Sequence, residues 1–250
     1  MAKDKATTGD CGAGNPEVRL KKLRLFAGLS GKEVSEVVRR LDGRVRRFAK
    51  GEVVVHEGTA AKWLIPVLSG VVCVYEPGAN GERHLVRSIE AGQLFGATLV
   101  TMRLESYPGM AVAAKDSEVM FFEMAKIREL WYDTRYKKFF ENLYTAVSES
   151  VLYCWRKLSI MACKTTEDKF MMYLNWYATE TGSPDVTLPF ARMEDCADFL
   201  GVTRASLSPA IKRLVAHGEI RRVRRGHFVL LRLKSSIRHG QPSRLEMSNL

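Results

Sequence analysis

The sequence predicts an α+β chain made of an antiparallel β-sandwich or jelly roll, a long helix built for pairing, and a small basic domain of helices and a hairpin. Three observations carry this reading. Short apolar runs punctuated by Gly and Pro recur between Arg47 and Phe122 at a spacing of ~8–12 residues, the rhythm of packed antiparallel strands. Phe140, Tyr144, Val147, Val151, Cys154, Leu158 and Met161 follow one another in alternating steps of four and three, with no Pro or Gly between them. Residues 186–233 hold nine Lys/Arg against four acids, a local charge excess.

Composition sets the outer bounds. At 250 residues and 46% apolar content the chain can bury a sizeable core in one large or two medium domains. A formal net charge of +11 points to a polyanionic partner, nucleic acid or an acidic surface. No apolar run reaches the ~18 residues of a membrane span and Met1–Asn15 lacks the apolar core of a signal peptide, so a cytoplasmic protein with no membrane partner is expected. Five cysteines form an odd set with no paired short spacing, which supports neither a disulfide framework nor a zinc ribbon.

Taken in order, residues 1–16 are polar and Gly-rich and are expected to be disordered, and 17–124 form the strand domain. Two short helical pieces open that domain, on Val18–Leu29 and on Val34, Val37, Val38 and Leu41. Strands are predicted at Val53–His56, Trp63–Leu68, Val71–Tyr75, Arg83–Ile89 and Val119–Phe122, with Ser69-Gly70 and Asn80-Gly81 as turns. Residues 125–163 are helical and contain the heptad stripe. Its apolar seam is narrow, because Glu141, Asn142, Ser148, Glu149, Arg156 and Lys157 lie between the seam positions, so a second copy is its natural cover. Phe140, Tyr144, Val147, Val151, Cys154, Leu158 and Met161 are therefore the expected homodimer interface. Thr165-Thr166 starts a further helix within the last domain, 164–233, and 234–250 is a flexible tail by composition.

In the basic domain, Met193–Leu200 reads as a short amphipathic helix, Gly201 as a sharp stop and Thr203 as the cap of a second helix running to Ala216. Small Ala197 suits a close helix crossing, and Leu207 and Ile211 give the second helix an inward face. A hairpin over Ile220–Leu231, with Arg225-Gly226 at its tip, completes a winged helix-turn-helix. Double-stranded DNA is the partner this pattern fits. Arg204, Ser206 and Ser208, at the start of the second helix, are the candidate base contacts. Thr203, Lys212, Arg221, Arg222, Arg224 and Arg225 are the candidate phosphate contacts, the last four read as a charge cluster on a loop rather than a spaced set on a helix.

With those motifs in place, residues 20–233 resemble the CRP/FNR family of bacterial transcription regulators. Lys50-Gly51-Glu52 with Glu57-Gly58, the Leu64–Val72 run and Gly92-Gln93-Leu94-Phe95-Gly96 are similar to the family's sensor signatures, and the order of barrel, dimer helix and winged helix-turn-helix also matches. The resemblance implies a β-roll sensor of the cyclic nucleotide-binding type, a palindromic operator, RNA polymerase as a further partner if the protein activates, and a small-molecule effector whose identity the sequence leaves open. It also implies where a cyclic nucleotide would be held, and there the chain departs: the ribose-binding acid and the phosphate-binding Arg-Ser pair match Ala97, Tyr107 and Pro108. A buried phosphate without its cation is costly, so the effector is expected to be something other than cyclic AMP. Its candidate pocket is Phe95, Gly96, Ala97, Leu99, Tyr107 and Met110, closed by Cys154 and Trp155.

No cofactor or metal is expected. Haem, the cofactor of a gas-sensing alternative, would have His56 or His84 as ligand candidates, but a lone barrel histidine is more often structural. A redox alternative would rest on Cys11 or Cys154, and an iron–sulfur cluster would need more cysteines near Cys11 than the chain has. A cupin-like metal enzyme needs two neighbouring His and a Glu, whereas His56 and His84 stand apart, and no nucleophile–base pair or catalytic motif is present. The expected class is a regulator, not an enzyme.

Overall fold

The computed structural model describes residues 20, 23–79, 81–190 and 192–231, which divide into two compact units between Leu152 and Tyr153. The predicted disordered segment 1–16 and tail 234–250 lie outside the described residues, as does Asn80 at its hairpin tip.

The first unit begins with a 3-10 turn at Arg24–Phe26 and helix α1, Gly31–Arg40. Ser30 starts α1 because its hydroxyl accepts from the Glu33 amide while the Glu33 carboxylate accepts from the Ser30 amide, satisfying two otherwise orphaned donors. Eight strands follow, β1 (Arg44–Phe48), β2 (Val53–Val55), β3 (Trp63–Ser69), β4 (Val71–Pro77), β5 (Arg83–Glu90), β6 (Leu94–Phe95), β7 (Met110–Ala113) and β8 (Ser117–Glu123). They form two four-stranded antiparallel sheets, ordered β1-β8-β3-β6 and β2-β7-β4-β5. Leu64, Ile65, Val72, Ile89, Ala111, Val119 and Phe122 fill the core of this unit.

At the corner between β3 and β4, Gly70 has φ +84, and a Cβ built there would collide with the Ser117 hydroxyl and the Asp116 carbonyl, so only glycine fits. The buried Ser117 hydroxyl ties the same corner, accepting from the Val71 amide at 3.1 Å and donating to the Lys115 carbonyl at 2.7 Å.

Three features of this unit differ from the expectation. β1 begins at Arg44, before the predicted start, because its backbone pairs with β8 from Arg44 opposite Phe121 to Phe48 opposite Ser117, although Phe48 alone of the five residues is buried. The stretch after Gly96 is a helix, α2 (Ala97–Met102), and β7 is a strand that small Ala111 and Ala113 hide from a propensity reading. Helix α3, Met124–Glu129, then leads to α4, Lys137–Ala162, a 26-residue helix that at about 1.5 Å per residue is close to 40 Å long.

The second unit packs α5 (Thr166–Thr181), β9 (Asp185–Thr187), α6 (Met193–Phe199), α7 (Arg204–Ala216), β10 (Ile220–Arg224) and β11 (His227–Leu230). Its core is aromatic: Tyr173 lies 5.2 Å from Phe199 and 5.7 Å from Phe190, ring centre to ring centre, and Phe170 meets Phe228 edge-on at 5.2 Å. β9, absent from the sequence reading, adds a third strand in the order β10-β11-β9.

Candidate nucleic-acid interface

Helix α6 opens where the Arg192 amide donates to the Asp195 carboxylate at 3.1 Å, and it stops at Gly201, φ +60, whose amide returns to the Asp198 carbonyl. A Cβ at Gly201 would collide with Met161 Cε, so the turn is both left-handed and tight. Thr203 caps α7 through its hydroxyl, which accepts from the Ser206 amide at 3.1 Å. Leu207, Ala210, Ile211 and Leu214 bury the inner face of α7, and the helix runs through Pro209 to Ala216. Two helices joined by a sharp turn at Gly201 are thus present, with a hairpin beside them.

The candidate contact residues divide by what already holds them. Arg204, first residue of α7, donates from Nε to Glu194 Oε1 at 3.3 Å and from Nη1 to the Ser208 hydroxyl. The Ser206 hydroxyl donates to the Thr203 carbonyl at 2.9 Å, so it and Thr203 are engaged in the cap. Lys212 is exposed on α7, whereas neighbouring Arg213 is tied to Glu167 of α5. Arg221, Arg222 and Arg224 lie exposed on strand β10 itself, and Arg225 alone of the four occupies the tip; the expectation of a loop cluster is corrected accordingly. A β-bulge between Arg222 and Arg224 re-aims the strand at that point. Arg225 Nη2 stands 3.7 Å from Glu194 Oε2. Sequence reasoning did not single out Glu194, since an acid in the first turn of a helix is an ordinary dipole partner.

Along α4 the heptad positions Tyr144, Val151, Leu158 and Met161 are 73%, 50%, 65% and 42% exposed in the single chain, and Cys154 is exposed with them. Phe140 and Val147 are half-buried. Phe139, Leu143 and Ala146 on the opposite side are buried in the first unit, which accounts for the apolar residues outside the seam. An open groove of about 530 Å³, lined by Trp131, Tyr132, Phe140 and Tyr144 among others, continues the exposed apolar surface at the start of the helix.

In the first unit, Gly96, Ala97, Leu99, Tyr107 and Met110 are buried and Phe95 is half-buried, stacked on Tyr107 at 5.7 Å between ring centres. The Tyr107 hydroxyl bridges the backbone of Trp63, accepting from its amide at 3.0 Å and donating to its carbonyl at 3.1 Å. Burial pushes its pKa up to about 12. The other two predicted pocket residues, Cys154 and Trp155, belong to the second unit and are exposed. His56 and His84 are both exposed, and among the described residues no three His, Cys, Asp or Glu gather at metal-binding range. No described helix is long and apolar enough to cross a membrane.

Comparison with known proteins adds a family to this geometry. Residues 45–132 match the cyclic nucleotide-binding domain. The match lies within the first unit. A search of curated proteins with the whole sequence returns no match. Among solved structures the chain is similar to FixK2 from Bradyrhizobium japonicum, at 19% identity and a TM-score of 0.65 over 77% of this chain and 94% of that one. It is similar to CLP of Xanthomonas campestris, described as a c-di-GMP responsive global regulator, at 17% identity and a TM-score of 0.63, covering 78% and 98%. It is also similar to TTHB099 from Thermus thermophilus, a transcriptional regulator of the CRP family, at 21% identity and a TM-score of 0.58, covering 75% and 92%. At these identities the likeness is one of fold, and the fold is that of CRP-type regulators. Within the cyclic nucleotide-binding domain, Tyr107 turns its one polar group onto the Trp63 backbone.

Proposed function

We propose that this chain is a dimeric, sequence-specific DNA-binding transcription regulator, controlled by an effector other than cyclic AMP that binds its cyclic nucleotide-binding-type domain. The observation that carries the reading is the convergence of Arg204 and Arg225 on Glu194: two cations from a helix start and a hairpin tip stand beside each other. That is the disposition a duplex needs, with the helix entering the major groove and the wing on the adjoining backbone. The exposed heptad stripe supports pairing through α4, and a two-fold dimer calls for a palindromic site with half-sites about one helical turn apart.

Binding-site selection on purified protein, followed by titration at two salt concentrations, tests this directly. A palindromic consensus is expected. Arg204→Ala should cost about 1–3 kcal/mol on the selected site and little on random DNA, whereas Arg224→Ala should weaken both and reduce the salt slope by about one. Equal loss on both DNAs for Arg204→Ala would make it a phosphate contact, and failure to select any sequence would overturn the function.

The effector reading rests on Ala97, Tyr107 and Pro108 at the ribose- and phosphate-binding positions, with the Tyr107 hydroxyl already spent on backbone groups. Calorimetry with cyclic AMP is expected to show no stoichiometric heat. A tight one-to-one isotherm would refute it.

A further inference from the structure

Glu194 is an acid placed where an anion of the DNA would be expected. It is the second residue of α6, and its two carboxylate oxygens face different cations: Oε1 accepts from Arg204 Nε–H at 3.3 Å, and Oε2 lies 3.7 Å from Arg225 Nη2. All three side chains remain partly exposed, so the network sits at the surface that meets DNA on the reading above rather than in the core. The other acid of this turn, Asp195, is buried and occupied by Arg192, so it does not share the task. The Glu194 carboxyl is held below the usual range by its own backbone amide and then by Arg204 and Arg225, against some desolvation.

The chemistry of the guanidinium decides what this does. Arginine presents five N–H donors in a planar fork, and a guanine edge can be read end-on by the two terminal nitrogens. With Nε engaged by Glu194 and one Nη1 hydrogen on the Ser208 hydroxyl one turn on, Arg204 is fixed in plane, and Nη2 with the second Nη1 hydrogen is the part that can turn to a base edge. A phosphate-only docking mode, by contrast, must pull Arg204 and Arg225 off Glu194 and bring a phosphate up to a carboxylate. We propose that Glu194 sets the specificity of this interface, positioning Arg204 for a base edge and penalising the phosphate contacts by which random DNA would be held. The inference rests on the DNA-binding reading of the preceding section.

The test compares the intact protein with Glu194→Gln and with Glu180→Gln, which removes the same charge from an ion pair with Arg156 elsewhere in the second unit. Each is titrated against the selected operator and against random duplex over a salt series. Glu194→Gln should tighten random-DNA binding by about tenfold and steepen its salt dependence by about one charge, while operator affinity changes less, so the ratio of the two falls. Glu180→Gln should leave that ratio unchanged, and thermal melting should be the same for all three proteins. Equal tightening on both DNAs, or a ratio that does not move, overturns the role of Glu194 and leaves the DNA-binding reading standing. A wild-type protein that selects no operator overturns both.

Discussion

The Tyr107 hydroxyl is bonded to the Trp63 backbone, so its removal strands a defined group. Tyr107→Phe keeps the ring stacked on Phe95 but strands the Trp63 amide, and should cost about 1–3 kcal/mol in urea unfolding. The pH dependence has a fixed sign. Because the folded pKa is raised to about 12 from the ordinary 10.0, the unfolded chain loses this proton first, so the contribution is complete below pH 10 and drains away as pH rises through 12. Wild-type stability should therefore fall more steeply than that of Tyr107→Phe across that window, as followed by circular dichroism. From the sequence, Tyr107 was legible only through the family resemblance, as an aromatic residue where relatives are expected to hold a phosphate. Its backbone partner was not, because Trp63 and Tyr107 are distant in the chain and only the closed sheet brings them together. Glu194 escaped for the same reason, since its two partners, Arg204 and Arg225, come from two other elements.

Helix α4 was legible in the sequence because its period is long, uninterrupted and apolar at the right steps. Strand β7 and helix α2 were not, since each is short and made of residues such as Ala111, Ala113 and Ala97 that carry little preference of their own; packing between neighbours decides them. The hairpin of β10 and β11 was found by its Arg-Gly tip, while β9 is a three-residue strand that exists only because β11 offers it an edge. The seam itself gives the test at this scale. Val151→Asp places two carboxylates against each other in the paired helix, a cost on the order of several kcal/mol. Sedimentation should show a monomer, and the single chain should keep its fold because Val151 is half exposed there. A mutant that sediments as a full dimer would remove α4 from the interface.

For the whole molecule, net charge and its placement are the levers. Of the formal +11, residues 186–233 contribute an excess of five, nine cations against four acids, so the long-range attraction to a polyanion is weighted towards α6, α7 and the hairpin. The exposed stripe has an optical consequence on the proposed pairing. The chain has four tryptophans, and two of them, Trp155 on α4 at 67% exposure and Trp131 in the groove at its start at 42%, stand in water in the single chain, while Trp176 is buried and Trp63 half-buried. Pairing through α4, as proposed, should dry Trp155 and Trp131, which flank the seam, and leave Trp176 and Trp63 unchanged. Serial dilution should then move the emission maximum to the red with a midpoint at the dissociation constant, whereas Val151→Asp should emit at the red limit at every concentration, so the molecule carries its own fluorescent gauge of association.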